Sequence, residues 1–291
     1  MFLLIVLENL FHRYDSTVAL NRVNLEVLEK DNIFCLMGPN GAGKTTLVRI
    51  LSTQLKPTSG KAYVLGFDVI KEANEIRKRI AILPQEARPL NEATPWEMVY
   101  WYLVSRGESF SEAKRRTESV LKELNLWEYK DKPCLSLSGG LKRRVLLALT
   151  VATSAELIFL DEPTLGLDPL SKRETWRLIS ELREETFFFV TTNVGLEAES
   201  LAKTVAIINR GRIIAKGNPE ELKGETYKHK LIFTDDVQIK GAIKFGDKKI
   251  LYFNEFDEIH EILRKLNSYS IQPTDLEDVF IAFLEGERNE S

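Results

Sequence analysis

The chain has 291 residues, 44% of them hydrophobic, enough for one large globular domain with a small addition. Its 40 basic and 43 acidic side chains leave a formal charge of -3, which argues against a general nucleic-acid binder. Only two cysteines, Cys35 and Cys134, are present, so the chain is not a disulfide scaffold and fits a reducing cytosol.

In chain order, MFLLIVLENL lacks a basic leader and a small-residue cleavage site, and it reads as a first β-strand. VNLEV (23–27) alternates apolar and polar, as a half-exposed antiparallel strand does. Together they predict an antiparallel β subdomain at the N-terminus. IFCLM (33–37) is apolar on both faces, and so are IAILP (80–84), LIFL (157–160), FFFVT (187–191) and VAIIN (205–209). Such runs predict a parallel sheet covered by helices on both sides.

Directly after the first of these runs, GPNGAGKTT (38–46) fits G-x-x-x-x-G-K-[ST], the phosphate-binding loop. The expected nucleotide contacts are Gly38, Pro39, Asn40, Gly41, Ala42, Gly43, Lys44, Thr45 and Thr46. Gly38, Gly41 and Gly43 let the backbone fold tightly and aim N–H groups at phosphate, and the following helix adds its positive end. Lys44 is expected to neutralise the β- and γ-phosphates, and the Thr45 hydroxyl to bind Mg²⁺.

Between Pro84 and LSLSGG no buried-strand run occurs, and helices are expected near 95–105 and from Ser111, a candidate N-cap, to Leu124. This gives a helical subdomain, about 86–145, inserted into the sheet. Its aromatic residues Trp96, Tyr100, Trp101 and Tyr102 read either as subdomain core or as a cleft for a membrane partner. In LSLSGG (135–140) a Ser-Gly-Gly turn opens a helix and makes a second anion site. Two phosphate-binding helix starts in one chain point to two chains sharing each nucleotide. The following Lys142, Arg143 and Arg144 read as a solvated helix face, with phosphate contact as the alternative.

LIFLDEP (157–163) puts Asp161 and Glu162 at the end of a buried strand, where open α/β sheets bind ligands. Asp161 is expected to hold Mg²⁺ through its water shell, and Glu162 to orient or deprotonate an attacking water. The longest apolar stretch, VLLALTVATSAELIFL, is broken by Glu156 and is too short to span a bilayer. Residues 223–291 change character. They predict a small α+β appendage with several short strands, an amphipathic helix at about 256–267 and a final LEDVFIAFLEGE segment.

The order of these motifs over residues 1–222 resembles the ATPase domain of ABC transporters. The resemblance implies an α/β fold with a P-loop NTPase core, ATP and Mg²⁺ as ligands, and a catalytic set of Lys44, Gln85, Glu162 and the residue at position 193. It implies that Gln85 reaches Mg²⁺ or the attacking water and senses a transmembrane partner, while Ser138, Gly139 and Gly140 contact the γ-phosphate held by the opposite protomer. Asp168 in GLDP is implied at the dimer seam, and Tyr14 as the aromatic that stacks on adenine. The implied partners are a separate membrane-spanning permease and a second ATPase subunit, identical or not. The chain would then sit on the cytoplasmic face of the membrane through that permease. QPTDLEDVFIAFLEGE resembles the C-terminal end of drug- and polysaccharide-export subunits. A nucleic-acid role is not expected, since the chain has neither a long coiled coil nor a second ATPase domain.

Two positions depart from the family pattern. Leu141 stands where glutamine is common. Asn193, in TTNVGLEAE, stands where the family has histidine, and His12, His229 and His260 lie elsewhere in the sequence. Two expectations follow: an ATPase that powers transport, or an ATP-binding, weakly hydrolysing clamp.

Overall fold

The computed structural model describes residues 3–182 and 186–289, with side chains described up to Phe283 in the last helix. Strands β1 (Leu3–Tyr14) and β2 (Thr17–Leu28) form an antiparallel hairpin that closes with Tyr14 opposite Thr17. The second strand is far longer than the VNLEV run. It buries Leu20, Val23, Leu25 and Val27 and leaves the residues between them at least partly accessible, as expected of a sheet with one wet face. All five residues of β3 (Ile33–Met37) are buried, and the chain then turns into α1 (Lys44–Leu51). β4 (Ser59–Val64) and β5 (Phe67–Asp68) complete a four-stranded antiparallel sheet of order β2-β1-β4-β5, and α2 (Ala73–Arg79) leads into β6 (Ile80–Leu83).

A helical segment follows, made of α3 (Pro95–Ser105), α4 (Phe110–Glu123) and α5 (Gly139–Val151). Thr94 and Glu97 form a capping box at α3, with Pro95 at the first helical position. The expected Ser111 cap is wrong by two residues. Ser109 caps α4, its Oγ accepting from the Glu112 N–H at 3.3 Å, because only Ser109 stands three residues before a free first-turn N–H. Val99, Leu103, Ala113, Val120 and Leu121 bury themselves against Val145 and Leu147 of α5.

The chain returns to the sheet through β7 (Leu157–Asp161), α6 (Pro169–Leu182), β8 (Phe187–Thr192), α7 (Gly195–Leu201), β9 (Thr204–Asn209), β10 (Arg212–Gly217) and α8 (Pro219–Gly224). The strand order is β10-β9-β3-β8-β7-β6, parallel except for β10 at the edge. Ile33, Cys35, Ile158, Leu160, Phe188 and Val190 face the helical segment, while Phe34, Leu36, Leu157, Phe159, Phe187 and Phe189 face the antiparallel sheet. Burial on both faces explains why these strands read as unbroken apolar runs. It also pushes the Cys35 thiol far above its usual range. This is the α/β P-loop NTPase arrangement. Met37 pairs with Thr192 and Asp161 with Thr191, so three strands end side by side at one edge.

β11 (His229–Phe233), β12 (Ile243–Phe245), β13 (Lys248–Phe253) and β14 (Tyr269–Pro273) form a third, antiparallel sheet of order β12-β13-β11-β14. Its core is Leu231, Phe233, Phe253, Ile259 and Leu266. The helix expected at 256–267 is not continuous: a 3₁₀ turn at Phe256–Glu258 precedes the four-residue α9 (His260–Leu263). So short a helix has little intrinsic stability, and the chain follows the small core instead. α10 (Leu276–Asn289) then leaves this sheet and packs on α7 and α8, burying Leu276 and Val279 in the main core. Lys230 ties the sheet to the start of α10, donating to Asp275 at 2.9 Å and Asp278 at 2.7 Å, and the Tyr252 hydroxyl donates to Asp278 at 2.8 Å. Among the described residues no helix is long and apolar enough to cross a membrane.

Candidate functional site

The edge where β3, β7 and β8 end carries the chemistry. Gly38 donates to the Thr192 carbonyl at 3.2 Å, which fixes the loop to β8. Gly43 has φ of 109°, and a Cβ there would lie 2.5 Å from the Ala19 carbonyl oxygen, so only glycine lets the loop close against β2. Lys44, 4% exposed, opens α1. Its Nζ donates to the Gly38 carbonyl at 2.7 Å and the Pro39 carbonyl at 3.2 Å, and it pairs with Glu162 Oε1 at 3.1 Å. Gln85, just beyond β6, accepts from the Thr45 hydroxyl at 3.5 Å and donates through Nε2 to Glu162 Oε2 at 3.4 Å. Asp161 is buried and accepts from the Thr191 hydroxyl at 2.6 Å. Lys44, Thr45, Gln85 and Glu162 therefore form one connected cluster beside Asp161.

Glu162 has φ of 46°, in the left-handed region that non-glycine residues seldom occupy, at a cost of about 1–3 kcal/mol. Surrounding bonds hold it there. Its N–H donates to the Thr191 carbonyl at 3.2 Å and the Thr191 hydroxyl at 3.0 Å, and its carbonyl accepts from Arg143 at 2.9 Å. Arg143 corrects the sequence reading, because it is neither a solvated residue nor aimed at a phosphate loop. It is 7% exposed, and burial pulls its guanidinium down to about 10. Lys142 is half-buried, and Arg144 pairs with Glu174. A basic triplet is read as solvated by composition, but only its helical phase could show that the middle residue turns inward.

Asn193 follows β8 and is exposed; its Nδ2 donates to Asn40 Oδ1 at 3.2 Å, joining the segment from Asn193 into α7, here termed the switch segment, to the phosphate loop. Sequence reasoning missed Glu197, a buried carboxylate in α7. It accepts from the hydroxyls of Thr164 at 2.9 Å and Thr192 at 2.7 Å, and pairs with Lys172 at 3.2 Å. The available signal was an acidic residue one turn beyond Asn193, with Glu199 close behind it. Glu277 of α10 also reaches this segment, accepting from the Gly195 N–H at 3.2 Å.

Other expected site residues stand apart from the cluster. Ser138 caps α5, accepting from the Leu141 N–H at 3.3 Å, with Gly139 and Gly140 in the first turn. Asp168 is exposed and caps α6; the Ser171 hydroxyl and the N–H groups of Ser171 and Leu170 hold its carboxyl below the usual range. Tyr14, 42% exposed, lies at the hairpin end with its ring edge-on to His12, centroids 4.7 Å apart.

The ABC transporter family profile matches residues 20–165. The daunorubicin resistance ATP-binding protein DrrA3 of Streptomyces coeruleorubidus is 37% identical over 80% of this chain and 73% of its own length. The daunorubicin/doxorubicin resistance ATP-binding protein DrrA of Streptomyces peucetius is 36% identical over 72% of this chain and 64% of its own. A solved dimeric ATP-binding cassette in a post-hydrolysis state, bound to ADP and Pi, superposes with a TM-score of 0.66 at 25% identity, covering 74% of this chain and 98% of that one. The sheet order, the loop at its edge and these likenesses agree: the chain belongs to the ATP-binding domain family of ABC transporters.

Proposed function

We propose that this chain is the ATP-hydrolysing subunit of an exporter whose membrane-spanning part is a separate protein. The observation that carries the reading is the cluster in which Gln85 links Thr45 to Glu162 while Lys44 pairs with Glu162. Phosphate binding would draw Lys44 from the loop carbonyls and Glu162 to the phosphate oxygens, freeing Glu162 for water. Glu162 would then orient the water and accept its proton as the bond between the γ-phosphorus and the ADP oxygen breaks, releasing ADP and phosphate. The Thr45 hydroxyl, Gln85 Oε1 and the two carboxylates are oxygen donors, the hard set that suits Mg²⁺. Bound there, Mg²⁺ would neutralise charge on the β- and γ-phosphates.

The exposed side chains of Leu135, Leu165, Leu170 and Leu196 flank the Ser138–Gly140 turn, the Asp168 turn and the switch segment. That distribution supports a second ATPase subunit closing over this face, as does the dimeric state of the solved relative. Trp101, 58% exposed on α3, supports docking of a permease loop on the helical segment. The drug-resistance names of two relatives support export. The Asn193–Asn40 bond favours a second reading, a subunit that binds ATP tightly but turns it over slowly. The test is Mg²⁺-dependent turnover of the purified chain against Glu162→Gln. The variant is expected to lose at least ~10²-fold in kcat while still binding ATP, and equal turnover in both overturns the reading.

A further inference from the structure

Arg143 is a buried cation whose hydrogen bonds all go to backbone carbonyls. Its Nε donates to Pro163 O at 2.5 Å, and its Nη2 donates to Glu162 O at 2.9 Å and Asp161 O at 3.4 Å. An arginine buried only for stability is ordinarily paired with a carboxylate. Here a full charge is spent on three successive carbonyls of the turn that presents Asp161 and Glu162. Glu162 sits in that turn at a φ of 46°, a conformation that persists only where its surroundings over-determine it. The Leu165 N–H closes the turn on the Glu162 carbonyl at 3.2 Å, and two groups from other elements hold it: Thr191 from β8 and Arg143 from α5.

The start of α5 looks elsewhere. Ser138 caps it and Gly139 follows, little more than one helical turn before Arg143. Gly140 lies close against α6, where a Cβ would stand 2.5 Å from Ser171 Oγ. One rigid helix thus carries the turn offered to a facing protomer's nucleotide and the clamp on the chain's own carboxylate turn.

We propose that Arg143 is a positioning residue that transmits the placement of α5, set by nucleotide on the facing protomer, to the angle at which Glu162 is presented in its own site. The inference rests on the shared-site reading above. In a closed dimer, engagement of one nucleotide by Ser138–Gly140 shifts α5 as a body, and Arg143 carries the shift to Glu162. The two hydrolytic sites are thereby linked through a side chain that touches neither nucleotide.

Two measurements test this. In the nucleotide-free full chain, hydrogen exchange is followed at Glu162, whose N–H bonds to Thr191 of β8, at Leu165, whose N–H bonds to the Glu162 carbonyl that Arg143 also reaches, and at Leu160 inside β7. Arg143→Met is expected to speed exchange at the first two by at least about tenfold and leave Leu160 protected. Unchanged exchange at Glu162 and Leu165 overturns the proposal whether or not the chain hydrolyses ATP. The second measurement uses mixed dimers in which one chain carries Glu162→Gln, leaving a single working site. Arg143→Met in the chain that supplies Glu162 is expected to lower kcat at least about tenfold with KM nearly unchanged, and in the other chain to cost less than about twofold. Arg143→Lys, which keeps one donor, restores part of the loss. Equal losses in both placements, or a loss confined to KM, overturn the proposal. If the reference dimer without an Arg143 change has no turnover, the exchange result alone decides the clamp, and dimer sizing of Glu162→Gln with ATP decides the shared-site reading.

Discussion

Asn193→His is the most informative single substitution. In the structure the Asn193 amide is engaged with Asn40 at 3.2 Å at an exposed position. Such a bond is worth about 0.5–1.5 kcal/mol, and less where water competes. It must break before the amide can reach a γ-phosphate, which subtracts from whatever it donates there. A complete donor contact to a developing oxyanion is typically worth about 2.7 kcal/mol, or ~10²-fold in rate. Asparagine is shorter than histidine and always neutral, whereas imidazole can donate from one nitrogen while the other accepts. If about half of the contact is recovered, histidine lowers the barrier by about 1.4 kcal/mol and raises turnover ~10-fold. ATP affinity should change little, because the gain lies in the transition state. Turnover at saturating ATP is measured for the chain, for Asn193→His, and for Glu162→Gln as the inactive control. Brisk turnover in the unaltered chain with nothing added by histidine refutes the weak-site reasoning.

Sizing of Glu162→Gln with ATP should show a dimer that a second substitution, Ser138→Arg, abolishes; a monomeric single variant, or an unaffected double variant, refutes the shared site. The Asp275 carboxyl is raised by burial, but the Lys230 ammonium and the Asp278 N–H hold it net below the usual range. Its stabilising contribution is therefore full above the unfolded value of about 3.9 and is lost as pH falls through the folded value. Asp275→Asn keeps the cap but drops the charge, so its melting-temperature deficit at pH 7 should shrink below about pH 4; a deficit independent of pH refutes this. Lys230, pulled down by burial but raised net by Asp278 and Asp275, loses its contribution only as pH climbs past about 10.4.

The parallel sheet was legible because strands buried on both faces leave no polar alternation, and the phosphate loop because its glycines and lysine stand at spacings that few other structures require. What remained hidden depends on distance rather than pattern. Arg143 sits in a basic run whose composition says solvent, and only its bonds to the Glu162 and Pro163 carbonyls show it turned inward. Glu197 has no neighbour in sequence that reveals Thr164 and Lys172 as partners. The helix expected at 256–267 had the right apolar spacing, Ile259, Ile262, Leu263 and Leu266, but periodicity does not say how large a core waits for it. The link from Glu277 to Gly195 joins residues 82 positions apart and leaves no local mark at either end.

That last link has a consequence for synthesis. Leu276 and Val279 fill places in the core of the nucleotide-binding part, and a Cβ at Gly195 would stand 2.7 Å from the Glu277 backbone nitrogen. The segment after Asn193 is thus seated by residues that leave the ribosome after every strand of the three sheets. A nascent chain can lay down the strands of all three sheets and still hold its switch segment unsupported, so the emergence of α10 is itself the step that licenses the site.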